Sequence, residues 1–582
     1  MHARVSTFHM RPGRKLITKL PPTFLVWMVL LFAACGTDSK QTLTAPQKAP
    51  ASRQVFVDPE VGVADIATFD PGLSPDFASI AAIDMVFTGL VQLDDNQQVA
   101  PQMAQSWEVS SDGLTWTFHL RPNLHFSDGT PLTSSDVAYS LDRALQPAEK
   151  STTGPAYLAL IKDSDKLNAG QIKTIIGDSL LTPDPDTLVI IAKKKASYFL
   201  DALTYPCSSI VEKRLVEKYG ARFTDHLTEG GGAGPFKVSQ YLHGKEIDFV
   251  PNPSYYGPKP QLQQVVFPFY RAADVAFRAY QAGQVDFSSV PTANLSIARA
   301  LPNRQFHQVS QLTIVYDAMN YLVKPFDNIK IRQAFELAIN KTLIARDIWK
   351  GSVIPTNHIV PQGMPGYHSN LLGPAGVRGT AGDPTQARAL FQAGLQEEGW
   401  TPASFPPVRL TYSSRSSDSN HEVVALQQMW QTVLGVSVIL DLVTVQTLLT
   451  EITAATNNPH GLQFWRINWG ADYPDPQDWT TLQFCKGCPN NNMNYGQNST
   501  SAALIQQQVQ EQLVLADTLP NGPARYQAYN SAEQQLVNDV AWLPLYQSTY
   551  PFVLKPYVQG VVFNAQSLIP PNDWGNIYIS VH

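Results

Sequence analysis

Charged residues are scarce in this sequence. Asp, Glu, Lys and Arg make up 15% of the 582 residues, against roughly 25% in ordinary soluble domains. The balance is acidic, with 42 Lys and Arg against 48 Asp and Glu. Five of the basic residues precede Cys35, where no acidic residue occurs, so the rest of the chain is more acidic still. A nucleic-acid-binding surface needs a basic excess, which excludes that class of protein.

Cysteine is also rare. Four cysteines are too few for a disulfide scaffold and offer no four-ligand zinc site by themselves. Cys485 and Cys488 form a CxxC pair in a stretch rich in glycine, proline and asparagine, which predicts a local disulfide. Paired metal ligation and redox catalysis stay open as alternatives. Cys207 follows a Tyr-Pro pair in an apolar context and is interpreted as a buried thiol.

The patterns of known catalytic sites are missing. No Ser-His-Asp, metallohydrolase or P-loop pattern occurs, and the glycine cluster at 230–234 leads into a strand-like run rather than a helix. His119 and His125 lie on a predicted hairpin without acidic or thiol neighbours. Asp475 and Asp478 are better explained by a rigid, proline-rich turn than by a metal. We therefore predict a protein that is not an enzyme and has no catalytic residues, cofactor or metal.

The apolar run at 24–32 is much shorter than the roughly 20 residues that span a bilayer. It follows a basic segment and ends at Ala33, Ala34 and Cys35, a pattern typical of a secretory signal and similar to a bacterial lipobox. We predict a signal peptide at 1–35, lipidation of Cys35 and a flexible tether at 36–54. An uncleaved membrane anchor is the alternative. Either way, the body lies outside the cytoplasm, held at the cell membrane.

At about 150 residues per domain, the length predicts three or four packed modules. Alternating residues around Ser111-Asp112-Gly113 predict a hairpin, and Thr133 with Asp136 predicts a capped helix. One helix is expected from Ile331 to about Ile348, and another from Asp383-Pro384 to Gly399. Alternating strands and helices favour an α/β fold with mainly parallel sheets.

A series of motifs spread over residues 55 to 582 resembles the signature of the family 5 extracellular solute-binding proteins, the oligopeptide, dipeptide and nickel receptors of ABC importers. In chain order they are FTGL (87–90), PQMAQSW (101–107), DGLTWTF (112–118), FSDGTPL (126–132), GPF (234–236), NPSYY (252–256), GQVD (283–286), PFD (325–327), IRQA (331–334) and ADYP (471–474).

The resemblance implies a two-lobed, periplasmic-binding-protein type II fold with an extra inserted subdomain, closing like a flytrap. Lobe I is expected at 55–86, 232–318 and 547–582, the inserted subdomain at 87–231, and lobe II at 319–546.

The same resemblance places the ligand-binding chemistry at 464–476. It gives Asp472 the role of pairing with a peptide α-amino group, and Arg466, six residues earlier, that of pairing with the carboxylate of some peptides. Trp469, Gly470 and Ala471 are expected to supply main-chain hydrogen bonds and an aromatic wall. A turn-forming role for Asp472, an internal ion pair for Arg466 and a core position for Trp469 remain alternatives.

Two further ligand contacts are expected from other parts of the chain. Phe77 belongs to a cleft-lining edge at 74–77, and Tyr157 lies in the inserted subdomain. His421 is a weaker candidate for a ligand carboxylate.

The function that follows is a monomeric receptor that captures short peptides and delivers them to an ABC permease and ATPase complex. A receptor for a nickel chelate, an oligosaccharide or another solute is the alternative on the same scaffold. A surface thiol oxidoreductase or a peptidase is the alternative from a different class.

Overall fold

A computed structural model describes residues 46–74, 76–414, 416–488 and 490–582. The predicted signal peptide, Cys35 and the first part of the predicted tether, 36–45, lie outside the described residues. Within the described residues, no helix combines the length and the apolar character needed to cross a membrane.

The strands of the described residues are β1 (Val55–Val57), β2 (Glu60–Val61), β3 (Val91–Leu93), β4 (Val99–Pro101), β5 (Ala104–Val109), β6 (Thr115–Leu120), β7 (Leu180–Asp184), β8 (Thr187–Ile191), β9 (Phe236–Leu242), β10 (Glu246–Pro251), β11 (Gln264–Tyr270), β12 (Phe287–Ser289), β13 (Phe306–Met319), β14 (Val353–Pro355), β15 (Val408–Tyr412), β16 (Val438–Leu442), β17 (Phe464–Gly470), β18 (Leu543–Leu554), β19 (Val558–Gln559) and β20 (Tyr578–Ile579).

The α-helices are α1 (Phe77–Val86), α2 (Ser134–Leu145), α3 (Thr153–Tyr157), α4 (Ser164–Asn168), α5 (Phe199–Ala202), α6 (Lys213–Tyr219), α7 (Ala273–Gln281), α8 (Leu295–Arg299), α9 (Ile329–Leu337), α10 (Lys341–Leu343), α11 (Pro384–Glu398), α12 (Ser417–Leu434), α13 (Val445–Ala454), α14 (Pro476–Trp479), α15 (Thr481–Phe484), α16 (Ala503–Ala516) and α17 (Pro523–Asn538).

Three larger sheets organise the molecule. A five-stranded sheet has the order β1-β11-β10-β9, with β2 also on β11, and the part of the chain around it is called lobe I. A four-stranded sheet, β5-β6-β8-β7, forms the inserted subdomain. A seven-stranded sheet, β12-β18-β13-β17-β15-β16 with β14 on β18, forms lobe II. The exact residue boundaries of the three parts stay a prediction.

The expectation of mainly parallel sheets is wrong. The four-stranded sheet is wholly antiparallel, and in lobe II only β15 runs parallel to its neighbours, β16 and β17. Parallel pairing needs a crossover connection. Helix α12 joins β15 to β16 and α13 joins β16 to β17, whereas most other neighbouring strands are joined by turns or by long excursions through another part of the chain.

Local sequence signals explain several elements. Thr133 and Asp136 form the predicted capping box at the start of α2, and Asp383 accepts hydrogen bonds from the backbone N–H of Thr385 and Gln386 at the start of α11. The single helix expected from Ile331 to Ile348 is instead two. It breaks after α9, and Asn340 caps the second segment by accepting from the N–H of Leu343.

The predicted tether is too long at its C-terminal end. Residues 46–54 pack on lobe I: Lys48 bridges to Ser580, and Ala49 is buried. The buried amide of Gln54 donates to the carbonyls of Ala49 and Ile579. These contacts fix the segment on the C-terminal strand β20, so the flexible stretch cannot extend to residue 54.

The hydrophobic cores follow the three sheets, with one exception. Val211, Leu215 and Phe223 fall within the segment expected to form the inserted subdomain, yet they are buried with Phe56 and Phe249 in the core of lobe I. Helix α6 therefore packs on lobe I, and the packing unit of the subdomain ends before it.

Two long strands pass from one lobe to the other. The start of β13 pairs with the end of β18 beside the lobe I core, at Phe306 and Val553, and the other ends pair in lobe II, at Asp317 and Leu543. The pairing register shifts between Ser310 and Ile314. A β-bulge bends a strand locally, so this shift places a bend where the lobes meet.

Candidate ligand-binding cleft

A cleft with two chambers lies between the lobes. The first chamber has a volume of about 260 Å³ and the second about 670 Å³. Phe77, Asp84, Gln311 and Leu568 line both chambers, so the two spaces adjoin at these residues.

Helix α1 supplies one wall of both chambers. Its side chains at positions i, i+4 and i+7, Phe77, Ala81 and Asp84, lie on one helical face and all line the second chamber. Asp76 begins the helix by accepting a hydrogen bond from the N–H of Ser79 at 3.0 Å. Phe77, predicted as a ligand contact, is 47% exposed and lies at the border of the chambers.

The bulge in β13 supplies the floor. Gln311, Leu312 and Thr313 line the first chamber together with Gly470 and Ala471 from the end of β17. The N–H of Ala471 donates to the carbonyl of Leu312 at 2.8 Å. That N–H is therefore not free for a ligand, so a main-chain hydrogen bond from Ala471 to a ligand would have to use its carbonyl.

Asp472 lies in the wall of the first chamber. Its N–H donates to the carboxylate of Asp478 at 3.0 Å, which fixes the backbone at this turn. No salt bridge joins the Asp472 carboxylate to a Lys, Arg or His of the described residues. Burial raises the pKa of Asp472 to about 6, and the Tyr157 hydroxyl opposes this rise. The arrangement leaves an anion facing the chamber.

Trp469 holds this turn from behind. Its indole N–H donates to the Asp478 carboxylate at 3.3 Å, and its ring packs against the lobe II core with Ile467. Trp469 does not line either chamber, so the expectation of an aromatic wall from Trp469 is wrong. Strand alternation explains this placement, because odd-numbered residues of β17 face that core.

Tyr157 lies beside the first chamber rather than in its wall. Its ring stacks on Tyr205 with the ring centroids 3.6 Å apart and meets Tyr473 edge-on at 6.5 Å. Of these two stacked tyrosines, it is Tyr205, which the sequence reasoning missed, that lines the chamber. Tyr157, predicted as a direct ligand contact, instead packs on the ring of Tyr205 and hydrogen-bonds to the carboxylate of Asp472.

Arg466 is not available to a ligand, and its predicted role in binding a carboxylate is wrong. Its Nε and Nη2 donate to Asp317 at 2.8 and 3.2 Å, and its Nη1 lies 3.2 Å from Glu422. Asp317 stands directly opposite Arg466 in the β13–β17 ladder, where cross-strand side chains meet. Two buried carboxylates thus hold the guanidinium inside lobe II, which was the alternative left open.

Three carboxylates that the sequence reasoning missed line the second chamber: Asp58, Glu60 and Asp84. Each had a visible signal. Asp58 and Glu60 flank Pro59 in an otherwise apolar strand run, and Asp84 is the single charged residue in the apolar stretch from Ile80 to Leu93. An isolated charge inside an apolar element is the pattern to look for.

The remaining candidates lie away from the chambers. Cys485 and Cys488 are joined in a disulfide, with Cα atoms 5.3 Å apart. Cys207 is free and buried, and burial raises the pKa of its thiol to about 12. His421 is exposed and lines neither chamber. Among the described residues, no group of three or more His, Cys, Asp and Glu is placed to hold a metal ion.

The inserted subdomain touches lobe II beside the first chamber. The N–H of Ser197 donates to the carbonyl of Asp517 at 3.1 Å, and its hydroxyl donates to the carbonyl of Leu519. The ring of Tyr198 is parallel to that of Tyr473, with the centroids 5.9 Å apart. These contacts bring the two sides of the cleft together.

Comparisons with known proteins agree with this architecture. The chain is 25% identical to the oligopeptide-binding protein OppA of Bacillus subtilis, over 93% of this chain and 96% of that protein. It is 25% identical to "Probable deoxycholate-binding periplasmic protein YgiS" of Escherichia coli, over 96% and 99%. The solved open form of the murein tripeptide-binding protein MppA superposes with a TM-score of 0.75, at 24% identity, over 92% and 99%.

The model for bacterial extracellular solute-binding proteins, family 5, matches residues 98–491, more than half of the chain. The resemblance found in the sequence motifs and the type II fold that it implied are both confirmed. Together with a two-chambered cleft between two lobes, this match shows that the chain belongs to the family 5 bacterial extracellular solute-binding proteins.

Proposed function

We propose that this protein is a non-enzymatic, extracytoplasmic receptor that binds short peptides through their free α-amino group. The observation that carries the proposal is Asp472, a largely buried carboxylate in the wall of the first chamber with no cationic partner among the described residues. A buried carboxylate without a partner is costly, and a ligand ammonium would offset that cost. The names of the oligopeptide-binding and murein tripeptide-binding relatives support a peptide as the ligand.

Delivery of the peptide to an ABC permease and ATPase complex follows from membership of the family. We propose that a lipid on Cys35 anchors the receptor, as a monomer, to the cell membrane. Replacing Cys35 by Ser should release the protein from the membrane fraction, with loss of the acyl group in mass spectrometry. An unmodified Cys35 in membrane-bound wild type would reject the anchor.

Mass spectrometry of ligands released by denaturing the purified protein tests the ligand class. Peptides with free amino termini are expected. Calorimetry then compares alanine peptides of two to six residues with their N-acetylated forms. We expect acetylation to weaken binding by roughly 30-fold or more, because it removes the charge that pairs with Asp472. Equal affinity of the two forms would reject the amine anchor.

An anionic amphiphile is the second candidate ligand. The large aromatic second chamber and the relative named for deoxycholate favour it. The lining of both chambers opposes it, because none of the described residues there is Lys, Arg or His, while four are acidic. Deoxycholate in the same calorimeter distinguishes the two, and we expect it to bind more weakly than a free-amine peptide.

A further inference from the structure

The second chamber holds three acidic side chains that have no cationic partner among the described residues. Asp58 enters it from the β1–β2 connection, Glu60 from β2 and Asp84 from α1. Within the described residues, none of the three side chains makes a hydrogen bond or a salt bridge. Glu60 is only 8% exposed, and what remains accessible to it is the chamber that it lines. Folded proteins normally give a buried carboxylate a hydrogen-bond donor or a cation, and this one has neither among the described residues.

The three carboxylates do not form a cluster that could by itself coordinate a metal ion. The described residues contain no group of three or more His, Cys, Asp and Glu placed to coordinate one. The chamber is also large, about 670 Å³, and aromatic rings such as Phe287, Tyr550 and Trp574 form much of its wall. Carboxylates at wider spacing among aromatic faces suit an organic cation, which gains from both ion pairing and cation–π contact.

The ionisation of the three groups is consistent with an absent cation. Burial and the charge of Asp286 raise the pKa of Asp58 to about 7, and burial alone raises that of Asp84 to about 7. The pKa of Glu60 is also raised, by burial and then by the charges of Asp58 and Asp76. A neighbouring positive charge would lower all three pKa values.

We propose that the second chamber binds the cationic side chain of the ligand, an ammonium or guanidinium, so that the receptor selects basic peptides. The inference rests on the proposed function, in which Asp472 holds the amino terminus in the first chamber. Because Phe77, Asp84, Gln311 and Leu568 border both chambers, one ligand can occupy the two at once. The lack of Lys, Arg and His in either lining, among the described residues, leaves a carboxylate on the ligand without a counter-charge.

The test uses alanine tetrapeptides that carry arginine, citrulline or glutamate at each of the four positions in turn. Citrulline has nearly the shape of arginine but no charge, so the ratio of the two dissociation constants isolates the cation. We expect arginine to bind at least about tenfold more tightly than citrulline at one or more positions, because hydrogen bonds to charged groups are the stronger class. Glutamate at the same position should bind most weakly.

Substitutions of the acidic residues test whether the second chamber causes the difference between arginine and citrulline peptides. Combining Asp58→Asn with Glu60→Gln should bring the arginine-to-citrulline ratio close to one, while the preference for a free over an acetylated amine remains. Asp472→Asn should remove the preference for a free over an acetylated amine and leave the arginine-to-citrulline ratio unchanged. Glu511→Gln removes one negative charge from an exposed position of α16 and should change neither preference. Asp84→Asn is the second variant, should the double variant fail to fold.

Equal binding of arginine and citrulline peptides to the wild type at every position would overturn the second subsite and leave the amine anchor standing. Survival of the ratio in both the double variant and Asp84→Asn would also overturn it. If no peptide of the panel binds, with or without acetylation, the proposed function fails first and this inference falls with it.

Discussion

In the proposed function, the charge of Asp472 attracts the ligand amine to the first chamber, and this carboxyl titrates. Because burial raises its pKa to about 6, it is mostly ionised at pH 7 and mostly protonated at pH 5. Nearby Asp478 has a pKa raised by burial and then by the charge of Asp472, and burial raises the pKa of Tyr205 to about 12, so this tyrosine stays neutral in this range. Tyr157 likewise has a raised pKa.

Affinity for a free-amine peptide should therefore fall by about tenfold between pH 7 and pH 5, since each pH unit below the pKa removes most of the ionised form. Calorimetry at pH 5, 6 and 7 measures the slope. Asp472→Asn should bind weakly at all three values and keep only the part of the slope that comes from Asp84, which lines the same chamber with a pKa raised to about 7. A wild-type affinity that does not change with pH would show that Asp472 does not pair with the amine.

Arg466 is predicted to matter for stability, not for the length of the bound peptide. Replacing it by Met leaves Asp317 and Glu422 buried without their cation, which should lower the free energy of unfolding by about 3 to 5 kcal/mol. The matched control is Arg409→Met, which removes a 54% exposed arginine 3.5 Å from Asp441 and should cost less than about 1 kcal/mol. Urea unfolding measures both, and equal losses would contradict the assignment.

The sequence located the segment 464–476 and Asp472 in the cleft wall, but it misplaced Arg466 and Trp469. Strand alternation puts the two on opposite faces of β17 without telling which face meets the cleft. The deciding neighbour of Arg466, Asp317, lies 149 residues away in the chain. Long-range neighbours of this kind are set by sheet assembly, which no local pattern reveals.

The elements that carry the cleft are the two strands shared by the lobes, β13 and β18. Gln547 on β18 is buried and braces the bulge: its amide donates to the carbonyls of Gln311 and Gln362 at 2.8 Å each and accepts from the N–H of Gln362 at 2.9 Å. It thereby fixes Gln311, which borders both chambers.

Gln547→Leu should lower the free energy of unfolding by about 1 to 3 kcal/mol, because three backbone groups lose their partner. It should also weaken peptide binding, since Gln311 is no longer held in place. Gln559→Leu, which removes one hydrogen bond to the Pro556 carbonyl, is the control and should leave binding unchanged. Thermal unfolding measures the loss of stability and calorimetry the loss of affinity. Unaltered binding in Gln547→Leu would show that the hydrogen bonds of Gln547 do not hold Gln311 in its binding position.

For helices and strands, the sequence predicts the elements that begin or end with a local cap or turn. It does not predict which distant strand pairs with a given strand. The capping box of α2, the Asp383 cap of α11 and the hairpin of β5 and β6 were all recognisable. The break before Asn340 and the antiparallel pairing of most strands were not. A strand's own residues show that it is a strand but not the direction of its neighbour.

At the level of the whole molecule, the inserted subdomain contacts lobe II across the cleft through Ser197. Asp201 of the subdomain faces the buried pair of Asp475 and Arg525 in lobe II. Burial and then the charge of Asp475 raise the pKa of Asp201 to about 8, with Arg525 acting in the opposite direction. The contact between the subdomain and lobe II seen in this structure therefore favours the protonated carboxyl.

The protonated Asp201 stabilises this contact, and the contribution is lost progressively as the pH rises from the ordinary carboxyl pKa of about 4 to the raised pKa of about 8. Without ligand, the radius of gyration should increase between pH 5 and pH 8 as the subdomain separates from lobe II, measured by solution scattering. Asp201→Asn should remain compact over the same range, and saturating peptide should reduce the change in the wild type. An unchanged radius in unliganded wild type would contradict this account.

The central claim, that the amino group of a peptide pairs with Asp472, is tested most directly by one thermodynamic cycle. Calorimetry at pH 7 measures wild type and Asp472→Asn, each with the same peptide in its free and N-acetylated forms. We expect acetylation to weaken binding by roughly 30-fold or more in the wild type and to have almost no effect in the variant, a coupling of about 2 kcal/mol or more. An equal effect of acetylation in both proteins would contradict it.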